Sequence, residues 1–109
     1  MIEIVYNLDT LTVEATGHAG AAPYGQDMVC CAVSVLMQTL DATGRRVGAV
    51  KSSIAPGHAV VQVLPSPLQW MEAEQRVEAI VDGLREVARS YPQYVRIRRG
   101  RGTYKAVKA

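Results

Sequence analysis

The 109-residue sequence predicts an α+β domain: a mixed or antiparallel sheet of about five strands with two helices, in the order ββαββαβ. Short β-branched runs of alternating polarity open the chain, the signature of half-buried strands. Two longer stretches instead repeat apolar residues at spacings of three and four, as one face of a helix does. Gly and Pro punctuate the boundaries between them, and no internal repeat or low-complexity segment interrupts the order.

The elements follow in turn. Ile2 to Tyr6 and Leu11 to Ala15 flank the polar turn Asn7 to Thr10, which reads as an antiparallel hairpin. Residues 17–25 are too rich in Gly and Pro for helix or strand and read as a loop. Asp27 is placed to cap a first helix, its carboxylate accepting the N–H three residues on, that of Cys30. Met28, Cys31, Ala32, Val35, Leu36, Thr39 and Leu40 form one stripe, with Thr43 and Gly44 ending it. Val29, Val33 and Met37 make the opposite side apolar too, which predicts burial on most sides. Val47 to Ile54 is a weakly patterned strand, Ala55 to Gly57 a turn, and His58 to Leu64 a better strand. A second helix from about Gln69 to Ser90 carries Ala73, Val77, Ile80, Val81, Leu84, Val87, Ala88 and Tyr91 on one face. Pro92 stops it, and Tyr94 to Arg98 is the last strand.

Length allows one domain, residues 1–99, followed by a basic tail, 100–109. Twelve Lys and Arg stand against ten Asp and Glu, but six of the bases follow residue 95, where no acid occurs. The body is therefore mildly acidic and the end basic, an asymmetry compatible with nucleic acid or an acidic partner. Adjacent Cys30 and Cys31 fit neither a disulfide framework nor a zinc site, so no metal is expected, and free thiols suit a reducing compartment. The longest apolar run, Met28 to Met37, is about half the length a bilayer needs, and no basic leader precedes Ile2. These observations predict a soluble cytoplasmic protein.

The chemistry concentrates between His18 and Cys30. A helix N-terminus favours a thiolate, the useful nucleophile, and a nearby imidazole is suited to take the thiol proton and later protonate a leaving amine. Unbonded amides at the helix start are candidate oxyanion donors. A Cys in an apolar helix is also a common small core residue, and a His beside Gly a common turn residue, so spacing alone leaves both readings open. Cys31 lies about 100° further round, on the Met28–Val35 stripe, and is assigned to packing. His58 reads as structural or exposed. Ser34, one turn beyond Cys30, either faces the same way or bonds the backbone.

At these residues the sequence resembles the ribosomal-processing cysteine proteases called Prp. Gly17, His18, Ala19, Gly25, Asp27, Val29, Cys30, Ala32 and Ser34 match the pattern Gly-His-Ala, a short gap, then Gly-x-Asp-Ile-Val-Cys-Ala-Ala/Gly-x-Ser. The resemblance implies a small cytoplasmic, homodimeric endopeptidase without cofactor. Its substrate would be the N-terminal extension of the large-subunit ribosomal protein numbered twenty-seven. It further implies Cys30 as nucleophile, His18 as general base, and Gly17 and Gly25 as shapers of the loop. A bare Asp27 carboxylate would disfavour the thiolate, so capping suits it better than membership of a triad. Met28 stands where the family has Ile, Cys31 where it has Ala, and Pro23 where it has a polar or acidic residue. These departures put the substrate in question, and a phage capsid or scaffold protein is an alternative target. A rival from another class is an RNA- or ribosome-binding module using the basic strip, although a chain with no Phe and one Trp has few stacking platforms beyond Tyr.

Overall fold

The computed structural model describes residues 1–20 and 27–100; Pro23, Gly25 and the basic residues from 101 onward lie outside the described residues. Five strands and two long helices occur in the expected order: β1 (Ile2–Asn7), β2 (Thr12–Gly17), α1 (Met28–Gly44), β3 (Gly48–Ala55), β4 (His58–Pro65), a 3-10 turn (Pro67–Gln69), α2 (Trp70–Ser90) and β5 (Val95–Arg99).

The strands form one mixed sheet in the order β3-β4-β2-β1-β5. β1 pairs antiparallel with β2, with Ile4 opposite Ala15, and parallel with β5, with Ile4 opposite Ile97. β4 lies antiparallel between β2 and β3. β2 and β3 therefore run the same way, as do β4 and β5, so α1 and α2 are each the crossover of a split β-α-β unit. The two crossovers run in opposite directions along the sheet between strands of opposite polarity. The right-handed rule then puts both helices on the same face.

That face holds the core. Ile2, Ile4, Tyr6, Val13, Ala15, Val61 and Val63 point from the sheet to Val29, Val33, Met37 and Leu40 of α1 and to Ala73, Val77, Val81 and Leu84 of α2. Each fully buried Leu, Val or Met contributes about 1.5–3 kcal/mol. The helices approach closely at Gly83, where a Cβ would stand 3.0 Å from the Leu36 side chain. Arg85 lies over the Tyr6 ring, 5.1 Å from its centroid, and donates to the Tyr6 hydroxyl.

No helix among the described residues covers the other face of the sheet. Alternation along the strands places Glu3, Glu14, Thr16, Lys51, His58, Arg96 and Arg98 there, with Glu3 directly opposite Arg96. His58 Nε2 and Glu14 Oε2 are 2.7 Å apart.

One expectation is overturned. The Met28, Cys31 and Val35 side of α1 is not its core side: Met28 is 81% and Val35 54% exposed, and Cys31 is exposed as well. The buried line is Val29, Val33, Met37, Leu40 and Gly44. Two apolar stripes on one helix give periodicity nothing to choose between. With only one helical layer over the sheet, one stripe suffices to close the core. Tyr91, expected on the apolar face of α2, is exposed too, because it caps the helix rather than continuing it.

Candidate active site

The C-terminal end of β2 is held largely through the backbone, with Thr16 Oγ1 adding a bond to the Glu3 carbonyl. Gly17 adopts φ +98°, and a Cβ there would stand 2.2 Å from the Met1 carbonyl oxygen, so glycine is required. Its N–H donates to the Gly57 carbonyl at 2.9 Å, which ties the strand to the β3–β4 turn. The Met1 ammonium donates to the His18 carbonyl at 2.5 Å. The His18 side chain rests over Gly57, itself at φ +80°, where an added Cβ would meet Nε2 at 2.9 Å. Ala19 is 4% exposed, and its N–H points at Cys30 Sγ, 3.3 Å away.

The start of α1 faces this loop. Asp27 caps the helix from an extended conformation, and its Oδ1 accepts from both Val29 N–H and Cys30 N–H at 3.0 Å. The capping expected for Asp27 is thus present, and it includes the Cys30 amide. Cys31 N–H closes the first helical bond on the Asp27 carbonyl at 3.1 Å. The expectation of unbonded amides at the helix start therefore does not hold at Val29, Cys30 and Cys31, because the cap that starts the helix consumes those three.

Between the first half of α1 and the ends of β2, β3 and β4 lies an open cavity of about 700 Å³. Gly17, His18, Asp27, Cys30 and Ser34 all line it, whereas Ala19, Val29 and Ala32 of the same signature do not. Cys30 is half-buried at its edge, and Ser34 and Gln38 follow at one-turn intervals along α1. Ala15, Val33, Met37, Ile54 and Ala59 make the interior apolar. Cys31 also reaches the cleft and is exposed, so the packing role assigned to it is not what it does. His58 borders the cleft at the start of β4, but its ring is bonded to Glu14 on the helix-free face, in keeping with a structural or exposed histidine.

Among the described residues no hydrogen bond joins the His18 ring to Cys30 Sγ. No three His, Cys, Asp or Glu side chains converge to hold a metal among those residues. Sequence reasoning missed three contributors. The Gly57 platform and the Ala19 amide act through backbone, which leaves no residue-type signal, and the β3 end at Ile54 is brought in by pairing distant in sequence.

A half-buried thiol at a helix start, sharing an open cleft with an imidazole, is the arrangement of a thiol hydrolase. The sequence matches the family described as cysteine protease Prp over residues 1–96, and the chain belongs to that family: it is a cysteine protease. No curated protein matches the sequence. The fold is similar to that of an essential ribosomal processing protease Prp from S. aureus. In its complex with a covalently linked product peptide the TM-score is 0.75 at 18% identity, covering 92% of this chain and 100% of that one. In its complex with a substrate peptide the TM-score is 0.70, with the same 18% identity and coverage of 92% and 100%. SMU.848 from Streptococcus mutans gives a TM-score of 0.64 at 24% identity over 90% of each chain. No helix among the described residues is long and apolar enough to cross a membrane.

Proposed function

We propose that this cysteine protease is a cytoplasmic endopeptidase that removes the N-terminal extension of the large-subunit ribosomal protein numbered twenty-seven. Cys30 is its nucleophile and His18 its general base. The observation that carries this reading is the single cleft shared by His18, Asp27, Cys30 and Ser34, four residues of the Prp signature. The S. aureus relatives, described as ribosomal processing proteases and bound to peptides, support the substrate class.

The steps follow from the chemistry of the two groups. His18 takes the proton of the Cys30 thiol, and Sγ attacks the scissile carbonyl, whose π electrons move to oxygen. The tetrahedral adduct collapses as the C–N bond breaks, and the His18 imidazolium gives its proton to the departing amine. Water, deprotonated by His18, then hydrolyses the thioester and restores the thiol. Catalytic hydrogen bonds commonly tighten only in the substrate complex, so the reading does not require the His18 ring to bond Sγ beforehand. No cofactor takes part. The enzyme acts as a homodimer, which sedimentation of the purified protein would register as twice the mass of the chain.

Cleavage of a peptide spanning the extension of the ribosomal protein tests the assignment. Cys30→Ser and His18→Ala lose activity by more than about 10³-fold, whereas Cys31→Ser stays within about twofold of wild type. Normal cutting by Cys30→Ser, or loss confined to Cys31→Ser, overturns it. An uncut ribosomal peptide together with selective alkylation of Cys30 leaves the dyad standing and moves the substrate to another extended protein, such as a phage capsid or scaffold protein.

A further inference from the structure

Acyl transfer needs a hydrogen-bond donor aimed at the oxygen that becomes negative, and the usual source here is already occupied. In a helix-start nucleophile that donor is commonly the nucleophile's own amide with its neighbours. In this protein Asp27 Oδ1 takes the N–H groups of Val29 and Cys30, and the Asp27 carbonyl takes that of Cys31. One backbone N–H is instead directed at the reacting sulfur: that of Ala19, 3.3 Å from Cys30 Sγ.

We propose that the backbone N–H of Ala19 is the oxyanion donor, so that base and donor come from consecutive residues, His18 and Ala19. The inference rests on Cys30 being the nucleophile and adds a catalytic group to that reading. An oxygen on the carbon bonded to Sγ lies one bond angle from the sulfur, within reach of a donor about 3 Å away. Charge leaves sulfur and arrives on that oxygen in the same step. A thioether sulfur is a weak acceptor, so the N–H transfers to the oxyanion as the S–C bond forms. Collapse returns the electrons to the carbonyl and releases the amine, protonated by His18.

Preorganisation is the second requirement, and the segment around Ala19 meets it. Its methyl group is packed into the core at 4% exposure, and the Gly17 N–H is anchored on the Gly57 carbonyl. A donor held this way pays little reorganisation when the charge develops.

The test replaces the amide of Ala19 by an ester in the full-length chain through semisynthesis, which removes one proton and keeps the side chain. Cleavage falls about 10²-fold, and affinity for a peptide aldehyde, whose hemithioacetal carries the same oxygen, falls by a similar factor. Alkylation of Cys30 by iodoacetamide develops no oxyanion, so its limiting rate at high pH, where the thiol is fully ionised, stays within about threefold of wild type. The same exchange at Gly20 leaves all three readouts within about threefold of wild type, at a matched thermal midpoint. An unchanged aldehyde affinity, or a limiting alkylation rate that falls as far as cleavage does, overturns the proposal; in the latter case the amide serves the thiolate instead. A wild-type enzyme whose Cys30 resists iodoacetamide and whose Cys30→Ser variant still cuts refutes the nucleophile, a separate failure. Should the ester chain not fold, the wild-type crystal structure with the aldehyde decides. The hemithioacetal oxygen lies within about 3 Å of Ala19 N, or the donor is another group.

Discussion

Asp27 and Gly57 show how differently single residues declare themselves. Asp27 was legible because capping is a local affair: a carboxylate before an apolar helix has one obvious use, and its Oδ1 meets the expected Cys30 N–H, and that of Val29 as well, at 3.0 Å. Asp27→Ala should cost about 1 kcal/mol of stability, and Asp27→Asn, which keeps an acceptor, less than about half of that, as read from urea midpoints. Gly57 was legible only as a turn. Nothing nearby in sequence announces that His18, far back in the chain, lies across it. Gly57→Ala pushes a methyl to 2.9 Å from His18 Nε2, whereas Gly20→Ala at φ +71° meets nothing within 4 Å. Both substitutions share the strain of positive φ, so only Gly57→Ala should lower cleavage, by about 10²-fold, at comparable losses of thermal midpoint.

The elements themselves were read well, and their faces less so. The hairpin, both helices and the last strand lie within a residue or two of their expected bounds, because alternation, helical spacing and Pro92 are written into short windows. Which side of α1 is buried is decided by the sheet rather than by α1. Met37, fully buried, should cost about 2–5 kcal/mol as Ala, while Val35, half exposed, should cost less than about 0.5 kcal/mol. Denaturant curves of the two variants distinguish the stripes directly. The parallel pairing of β5 with β1 was equally hidden, since it joins residues about ninety positions apart. The same reason kept Ile54 out of the site: only the β3–β4 pairing brings it to the cleft.

For the whole molecule, the sheet order and the shared hand of the two crossovers leave a core on one face and a charged wall on the other. The basic excess after residue 95 begins on that wall, where Arg96 lies 3.7 Å from Glu3, and continues beyond it. An exposed pair at that separation contributes little to stability. On the proposed ribosomal substrate, a basic excess of this kind would favour approach to the polyanionic surface of RNA. Deleting residues 101–109 should leave cleavage of a short peptide within about twofold and weaken capture of the ribosome-bound substrate, most clearly at low salt. Peptide cleavage that collapses on the same deletion would place those residues in the fold instead.

The position of β1, flanked by β2 on one side and β5 on the other, also divides the molecule in time. Its amides are shielded by two neighbours and by the helical layer, so they should exchange with deuterium only when the whole chain unfolds. The cleft is assembled elsewhere, from the ends of β2 and β3, the first turns of α1 and the Gly57 turn, beside a sheet edge with a partner on one side only. An edge strand has fewer shielded amides than a central one, so exchange at the β3 edge should run ahead of exchange in β1. Exchange at the rim of the cleft then reports on local order around the site, while exchange in β1 reports on the stability of the whole fold.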